Sequence, residues 1–226
     1  MTKIYLNLIS LILCTFVANL QAEVEEDGAF WINLNAQGKL HVENLNWYAE
    51  YQPRWRQEGK HLDVSILRPA ISYAINQNTS IWLGYANVRF HPSGRSSREE
   101  NRLWQQFLYK FEPIDNVFMQ SRTRFEQRHF ENASDTGYRL RQLFRVSVPL
   151  SASPYSLVLW DEYFIHVNDT DWGAVRGFDQ NRAFLGVNAK INQQVALEVG
   201  YLNQYINTRN VDRENHALST TLNLQF

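Results

Sequence analysis

The sequence is poor in the features that define several common protein classes. It has 1 cysteine, 6 prolines and 10 glycines in 226 residues, and its formal net charge is −1. Such a charge supplies no basic field for a nucleic acid partner. After the first twenty residues, no apolar run approaches the roughly 18 residues that a membrane-spanning helix needs. The chain has 13 Phe, 11 Tyr and 7 Trp instead, and this supply of apolar surface excludes a disordered chain.

The amino terminus has the pattern of an export signal. Lys3 precedes the apolar run 4–20, and Ala22 stands directly before a cluster of acids. This order predicts a signal peptide over residues 1–22, with an uncleaved anchor helix as the alternative. The lone Cys14 lies inside it, so we expect no disulfide in the exported chain. Because secreted eukaryotic proteins of this size more often carry disulfides, the pattern indicates a protein of the bacterial envelope.

Beyond residue 28, apolar and polar side chains alternate with a period of two, which predicts β-strands. We find ten such strands between residues 44 and 226 and a further candidate at 30–37. The final strand shows the pattern most clearly, because its second face is polar or small throughout. Its first face carries His216, Leu218, Thr220, Leu222, Leu224 and Phe226.

The connections between these strands alternate in length. Closing a sheet into a barrel pairs its backbone groups and lets apolar side chains face lipid, and outer-membrane barrels have short turns at one end and long loops at the other. We therefore predict an all-β fold, a single antiparallel transmembrane β-barrel of 10–12 strands built from residues 23–226. The short connections lie at 76–78, 112–116 and 192–193, and the long ones at 91–100, 168–179 and 207–214.

The number of strands is constrained by the location of the chain ends. Bacterial single-chain barrels have even strand numbers, so eleven is excluded if both ends are periplasmic. Ten strands require residues 23–41 to lie outside the wall or in the lumen, and twelve require one more strand than the pattern supplies.

The carboxyl terminus indicates where the barrel is inserted. Leu222, Leu224 and Phe226 resemble the C-terminal signal of bacterial outer-membrane proteins. We therefore expect the lipid bilayer and the outer-membrane barrel assembly machinery as partners. Alternation does not decide which face is inside, so a periplasmic lipocalin-like barrel that holds an apolar ligand is the alternative.

The face opposite the apolar one is rich in arginine. Neighbouring strands concentrate these side chains, so we expect a basic wall in the lumen. Arginine pairs with carboxylates in a bidentate geometry, which would plug a narrow barrel, whereas unpaired like charge would attract a small anionic solute for passage or binding. The basic wall comprises Arg102, Arg122, Arg124, Arg128, Arg139, Arg141, Arg145 and Arg182, and the acids facing it are Glu50, Glu126, Glu162 and Glu198.

Catalytic signals are weak. An outer-membrane lipid-modifying enzyme would need serine and histidine together on the outer wall, but His216 and Ser219 fall on opposite faces of their strand. No metal spacing, phosphate loop or nucleophile elbow is present, so we expect neither a cofactor nor a metal. The loop 168–173 is rich in oxygen ligands but lacks the spacing of an EF-hand, which favours a structured polar loop over a calcium site.

A set of motifs in order resembles the bacterial family catalogued as domain of unknown function 2490. The resemblance covers residues 30–226 and implies an exported, outer-membrane β-barrel without an assigned activity, so no catalytic residue is carried over. The motifs are Arg68-Pro69-Ala70, Trp82-Leu83-Gly84-Tyr85-Ala86, Arg102-Leu103-Trp104-Gln105-Gln106, Arg122-Thr123-Arg124-Phe125-Glu126-Gln127-Arg128, Arg139-Leu140-Arg141-Gln142, Trp160-Asp161-Glu162, 168–173, Gly177-Phe178-Asp179-Gln180-Asn181-Arg182 and Gly200-Tyr201-Leu202-Asn203-Gln204-Tyr205.

Overall fold

A computed structural model describes residues 24–209 and 211–226. The expected signal peptide therefore lies outside the described residues. In the described part no helix is long and apolar enough to cross a membrane. The elements are eleven strands: β1 (Val24–Lys39), β2 (Leu45–Arg56), β3 (His61–Ala74), β4 (Thr79–Phe90), β5 (Arg98–Lys110), β6 (Phe118–Phe130), β7 (Thr136–Pro149), β8 (Tyr155–His166), β9 (Gly177–Lys190), β10 (Val195–Ile206) and β11 (Asp212–Gln225).

The eleven strands close into one barrel in which each strand lies beside its neighbours in sequence. This confirms the all-β barrel prediction. The prediction of ten or twelve strands is wrong, and so is the prediction that all strands pair antiparallel. When an odd number of strands runs alternately up and down, the first and last strands point the same way. β1 and β11 accordingly pair in parallel, whereas all ten other pairs of described strands are antiparallel.

The extra strand is β1, and it corrects the expectation for residues 23–41. β1 does not lie outside the wall or in the lumen, because it forms part of the wall from Val24 to Lys39. Its register with β11 runs unbroken from the pair of Val24 and Asp212 to the pair of Gln37 and Gln225. Side-chain hydrogen bonds reinforce this parallel seam, from Asn33 to Thr221 (3.1 Å), Asn35 to Asn223 (3.0 Å) and Gln37 to Gln225 (2.8 Å).

The two ends of the barrel carry different connections. The β4–β5, β8–β9 and β10–β11 connections lie at one end, which we call the long-loop end, together with the start of β1. The β3–β4, β5–β6 and β9–β10 connections lie at the opposite, short-turn end with Phe226. Phe226 stacks on Trp47 with 5.8 Å between ring centroids, and its backbone N–H donates to the Gln37 carbonyl (2.8 Å). The sequence thus grouped these six connections by barrel end as the structure does.

Side chains alternate between the two faces of the wall. Apolar residues such as Leu67, Leu185 and Leu218 are about half exposed on the outside, as are Leu222 and Leu224 to a smaller extent. The interior is mostly charged and polar. A lipocalin-like barrel would need the reverse arrangement, because its apolar ligand is held by an apolar interior. The buried polar set on the inside includes Glu50, Arg54, Arg68, Glu100, Arg102, Arg124, Glu126, Arg128, Arg139, Arg141, Glu162, His166, Arg182 and Glu198.

Two apolar clusters interrupt this polar interior. One contains Trp31, Phe184 and Leu202, and it packs across β1, β9 and β10. Phe184 lies flat against the wall because Gly186 and Gly200 face it. A Cβ atom on either glycine would come within 2.5 to 2.6 Å of the Phe184 ring tip. The second cluster lines the inside of β3, β4 and β5 and contains Val64, Ile66, Ala86, Val88 and Trp104.

A β-bulge in β9 places the side chain of one acid, Asp179, on the inner face of the wall. The sequence predicts a bulge or a strand end in 155–167, because Asp161 or Glu162 had to face the apolar side. Glu162 faces inward, and Asp161 faces outward, where Asn181 donates a hydrogen bond to it (2.5 Å). The register shift lies nearer the long-loop end, where Asp179 is the extra residue of β9 opposite β8. A bulge re-aims side chains, and this one turns Asp179 toward the lumen.

Candidate functional site

The interior of β6, β7 and β8 is cross-linked by a chain of ion pairs. Glu126 accepts hydrogen bonds from Arg139 (2.7 and 2.9 Å) and Arg141 (2.6 Å). Glu162 accepts two more from Arg141 (both 3.0 Å) and one from Arg122 (2.7 Å). Alternation places these five side chains on the inner face. The antiparallel register sets Glu126 opposite Arg139 and leaves Arg141 on the diagonal to Glu126 on one side and to Glu162 on the other. We call this set the crossbar, because it joins three strands through two shared carboxylates.

Glu100 forms a second bidentate cluster toward the long-loop end. This carboxylate is fully buried on β5. It accepts from Arg102 (2.6 and 2.9 Å) and from Arg128 (2.5 and 3.1 Å), so both of its oxygens are shared by two guanidinium groups. The sequence reasoning missed Glu100, although it has the same parity as Arg102 on one strand. Extending the alternation of β5 by one step would have found it.

Further pairs line the interior, and one of them joins Arg56 to Asp27 (2.7 Å) beside the long-loop cavity. Asp179 accepts from Arg139 (2.9 Å) and lies 3.4 Å from His166. Two other acids each pair with one arginine. Glu50 pairs with Arg68 (2.5 Å), an arginine that the predicted basic wall did not include, and Glu198 pairs with Arg145 (2.5 and 3.1 Å).

Arg124 is buried without a carboxylate. Its Nε and Nη2 donate to the amide oxygen of Gln106 (3.0 and 2.7 Å), and its guanidinium lies 4.1 Å over the Trp104 ring. Its Nη1 has no hydrogen-bond partner. An aromatic face attracts a cation, but it does not neutralise the charge. Arg124 therefore adds a net positive charge to the lumen.

Arg54 and Arg182 have a similar environment beside Trp31. Their guanidinium carbons lie 4.0 and 5.1 Å from the centroid of the Trp31 ring. Arg54 donates to Gln52 (2.5 Å), and Arg182 makes one long contact with Gln180 (3.4 Å). Each side chain is 9 % exposed, and each keeps a buried Nε without a partner. Within residues 24–209 and 211–226, no carboxylate lies within ion-pair distance of Arg54, Arg124 or Arg182.

The lumen is divided into separate cavities. A cavity of about 430 Å³ lies toward the long-loop end, where the β8–β9 connection contributes Trp172 and Ala174 to its wall. A central cavity of about 190 Å³ and a cavity of about 510 Å³ at the short-turn end follow. Arg54, Arg141 and Arg182 stand between the first two. Through the part of the barrel that the structure describes, the two end cavities share no lining residue, but the central cavity shares Arg54 and Arg182 with the first and Arg122 with the other.

All the arginines and acids singled out from the sequence face this interior. Arg122 and Arg145 are its least buried members, with side chains 23 % and 25 % exposed at the central cavity. The sequence did not show that most of the basic wall is neutralised. The members with carboxylate partners are Arg102, Arg122, Arg128, Arg139, Arg141 and Arg145, and those without are Arg124 and Arg182.

The outer wall carries a histidine between two serines. His91 Nε2 lies 3.1 Å from Ser65 Oγ, and its Nδ1 lies 3.2 Å from Ser97 Oγ. A catalytic histidine is ordinarily oriented by a group that also stabilises its charged form, and a neutral serine supplies no such charge. His216 and Ser219 lie on opposite faces, as their parity requires.

The surface also holds a group of metal-ligand type. Ligand atoms of Glu26, Glu214 and His216 lie within 4.8 Å of one another on the outside of the parallel seam. His216 Nδ1 is already 2.6 Å from the Tyr201 hydroxyl. The group is partly exposed and remote from the lumen. The loop 168–173 is hydrogen-bonded to the start of β7, where Asn168 donates to the Thr136 carbonyl (3.0 Å).

The fold and interior together define a closed β-barrel with an ion-paired, arginine-rich lumen. Residues 28–215 match the family model described as "Protein of unknown function (DUF2490)", and the chain belongs to that family. This confirms the resemblance found in the sequence. An uncharacterized protein of Methylorubrum extorquens is 38 % identical over 222 residues, which cover 97 % of this chain and 96 % of that one. A solved structure described as "Unveiling the Mechanism Behind the in-meso Crystallization of Membrane Proteins" aligns with a TM-score of 0.39 at 12 % identity, over 83 % of this chain and 80 % of that one, a likeness too weak to bear on the fold.

Proposed function

We propose that this protein is an integral outer-membrane barrel that binds a small anionic solute in its lumen and does not conduct while its ion pairs are intact. The observation that carries the proposal is the excess of arginine over carboxylate in a closed, polar interior with an apolar exterior. Arg54, Arg124 and Arg182 supply that excess. A cluster of like charge inside low-dielectric walls attracts anions.

The membrane part of the proposal rests on the outer surface. Large apolar side chains such as Leu83, Phe107 and Phe144 are 46 % to 54 % exposed around the wall. Monomeric soluble proteins rarely expose contiguous apolar patches of more than a few hundred Å². Phe226 closes the chain at the short-turn end, which we assign to the periplasm. The long-loop end then faces outward.

Cell fractionation tests the location. We expect the protein in the outer-membrane fraction, resistant to carbonate washing and released by detergent. A band whose mobility changes on heating before electrophoresis would mark the folded barrel. Recovery from the soluble periplasm without detergent would contradict the membrane assignment.

Planar-bilayer recording tests the closed state. We expect the wild-type protein to give no steady conductance, because the crossbar and the two arginines beside Trp31 obstruct the middle of the lumen. Replacing Arg122 and Arg141 together by alanine removes both guanidinium groups that hold Glu162. We expect that double variant to conduct, whereas Arg89→Gln, on the outer face, leaves the barrel closed. Open wild-type channels would contradict closure.

A purely structural barrel is the second candidate. The crossbar favours it, because an ion-pair network that joins neighbouring strands also explains the buried charge without a solute. A barrel that fractionates with the outer membrane but binds no anion would support this candidate over the first.

A further inference from the structure

The lumen has two unlike walls near the long-loop end. The inner faces of β3 and β4 carry an apolar patch of Val64, Ile66 and Val88, with Arg68 next to it on β3. Arg182 on β9 lies across the lumen from this patch, whereas Arg54 on β2 is the cross-strand neighbour of Val64. A single polar lumen would need only charged and polar residues, so the apolar wall calls for a separate explanation.

Both walls border the same cavity. The cavity of about 430 Å³ is lined by Val64, Ile66, Val88 and Phe90 and also by Arg54 and Arg182. Its volume lies in the range of small-molecule sites, which are mostly apolar with a few polar groups that fix the orientation of the ligand. Asp63, Asp179 and the exposed Arg213 also line this cavity. Its remaining arginines already hold carboxylates, and these are Arg56, Arg68, Arg102, Arg128, Arg139 and Arg141.

The two arginines are prepared for an anion. Each is nine-tenths buried and has an Nε hydrogen without an acceptor. A buried donor left unsatisfied costs about 1–3 kcal/mol, and more when it is charged. Both guanidinium planes lie near one face or the other of Trp31, which restricts their movement. A carboxylate that reaches both groups gains charge-assisted hydrogen bonds from donors whose movement is already restricted.

Resting on the proposed anion-binding function, we infer that this cavity takes an organic acid with an apolar body, its carboxylate on Arg54 and Arg182 and its body against Val64, Ile66 and Val88. An inorganic anion satisfies the arginines but leaves the apolar wall against water. A neutral apolar molecule satisfies the wall but leaves the arginines unpaired. A molecule that carries both properties satisfies both surfaces at once.

Titration calorimetry on the full chain refolded in detergent tests the ligand class. The probes are benzoate, benzyl alcohol as the uncharged molecule with the same ring, and inorganic phosphate. We expect benzoate to bind at least 10-fold more tightly than either of the other two. Equal binding of benzyl alcohol would overturn the role of the arginines, and equal binding of phosphate would overturn the role of the apolar wall.

Variants locate the binding site. We expect Arg182→Gln to weaken benzoate at least 10-fold, and Val88→Thr, which keeps the shape but adds a hydroxyl, to weaken benzoate while phosphate is unchanged. Arg54→Gln serves as the second arginine variant if Arg182→Gln fails to fold, as judged by heat-dependent electrophoretic mobility. Arg89→Gln on the outer face is the matched control.

The outcomes separate the two proposals. Phosphate binding that depends on Arg182 without a preference for benzoate overturns this inference and leaves the proposed anion-binding function standing. Failure of both benzoate and phosphate to bind overturns both. Benzoate binding that survives in both arginine variants places the ligand elsewhere and overturns the site.

Discussion

The arginines of the crossbar and the arginines beside the tryptophans are buried to a similar extent, but only those of the crossbar have carboxylate partners. Arg139 and Arg141 share Glu126, and all three side chains are at most 5 % exposed. Arg124 and Arg182 are 4 % and 9 % exposed and contact aromatic rings without a carboxylate. Arg139 and Arg141 also lie over the Phe164 ring, so the carboxylate is what separates the two groups. A buried arginine that is paired with a carboxylate links neighbouring strands and is neutralised. A buried arginine that contacts only an aromatic ring is not neutralised, so its charge can attract an anion. Under the proposed function, the same residue type serves structure where it has a carboxylate and binding where it has none.

The largest expected effect comes from breaking the crossbar at its centre. Glu126→Gln leaves Arg139 and Arg141 buried with one charge fewer between them, and breaking a buried pair in this way costs about 3–5 kcal/mol. We expect the free energy of unfolding in urea, followed by tryptophan fluorescence in lipid vesicles, to fall by that amount. As a control, replacing all three residues by apolar ones of similar volume should cost less than Glu126→Gln alone. A loss of less than about 1 kcal/mol for Glu126→Gln, as for a surface pair, would show that the crossbar does not stabilise the barrel.

A smaller effect is expected where the pair borders water. Arg145→Gln leaves Glu198 without its guanidinium partner, but the Arg145 side chain is 25 % exposed, so water reaches this pair. We expect a loss of about 1–3 kcal/mol in the same unfolding measurement. Higher salt should narrow the difference between Arg145→Gln and wild type. A loss as large as that of Glu126→Gln would indicate that the contribution of these ion pairs to stability does not depend on their exposure.

A still smaller effect on stability is expected for the arginines without carboxylates. Arg182→Met removes a buried charge and leaves no carboxylate that depended on it for a hydrogen bond. We expect the free energy of unfolding to change by less than about 1 kcal/mol, or to rise, as when buried charges are replaced by apolar residues. Arg54→Met should behave alike. A loss as large as that of Glu126→Gln would remove the distinction between the two groups.

The smallest effect is expected on the outside. Glu99 is paired with Arg89 across β4 and β5, and both side chains are well exposed. We expect Glu99→Gln to leave the urea midpoint unchanged within error, because exposed ion pairs are screened by solvent and salt. A measurable shift would mean that this part of the wall is covered in the folded protein.

Alternation predicted which side chains share a face, and this was enough for the barrel and for the inward arginines. It did not predict which arginine meets which acid, because pairing depends on the stagger between strands. Asp179 illustrates the limit. The sequence predicted a bulge or a strand end in 155–167, but it did not show that the extra residue opposite this segment is Asp179, which the bulge turns to the inner face. The predicted number of strands was wrong for another reason. A rule drawn from other barrels overrode the clear strand signal at 30–37.

The parallel seam has a consequence for how the chain assembles. Its hydrogen-bonded partners, such as Asn35 and Asn223, are 188 residues apart in sequence, and contacts of such separation form late because loop closure must precede them. Until β11 arrives, one edge of β1 has no partner, and an open strand edge is a template for aggregation. The nascent barrel therefore needs a protected edge for almost the whole of its folding. The side-chain amides of Asn33, Asn35 and Gln37 then favour the register in which β11 pairs with β1 and closes the barrel.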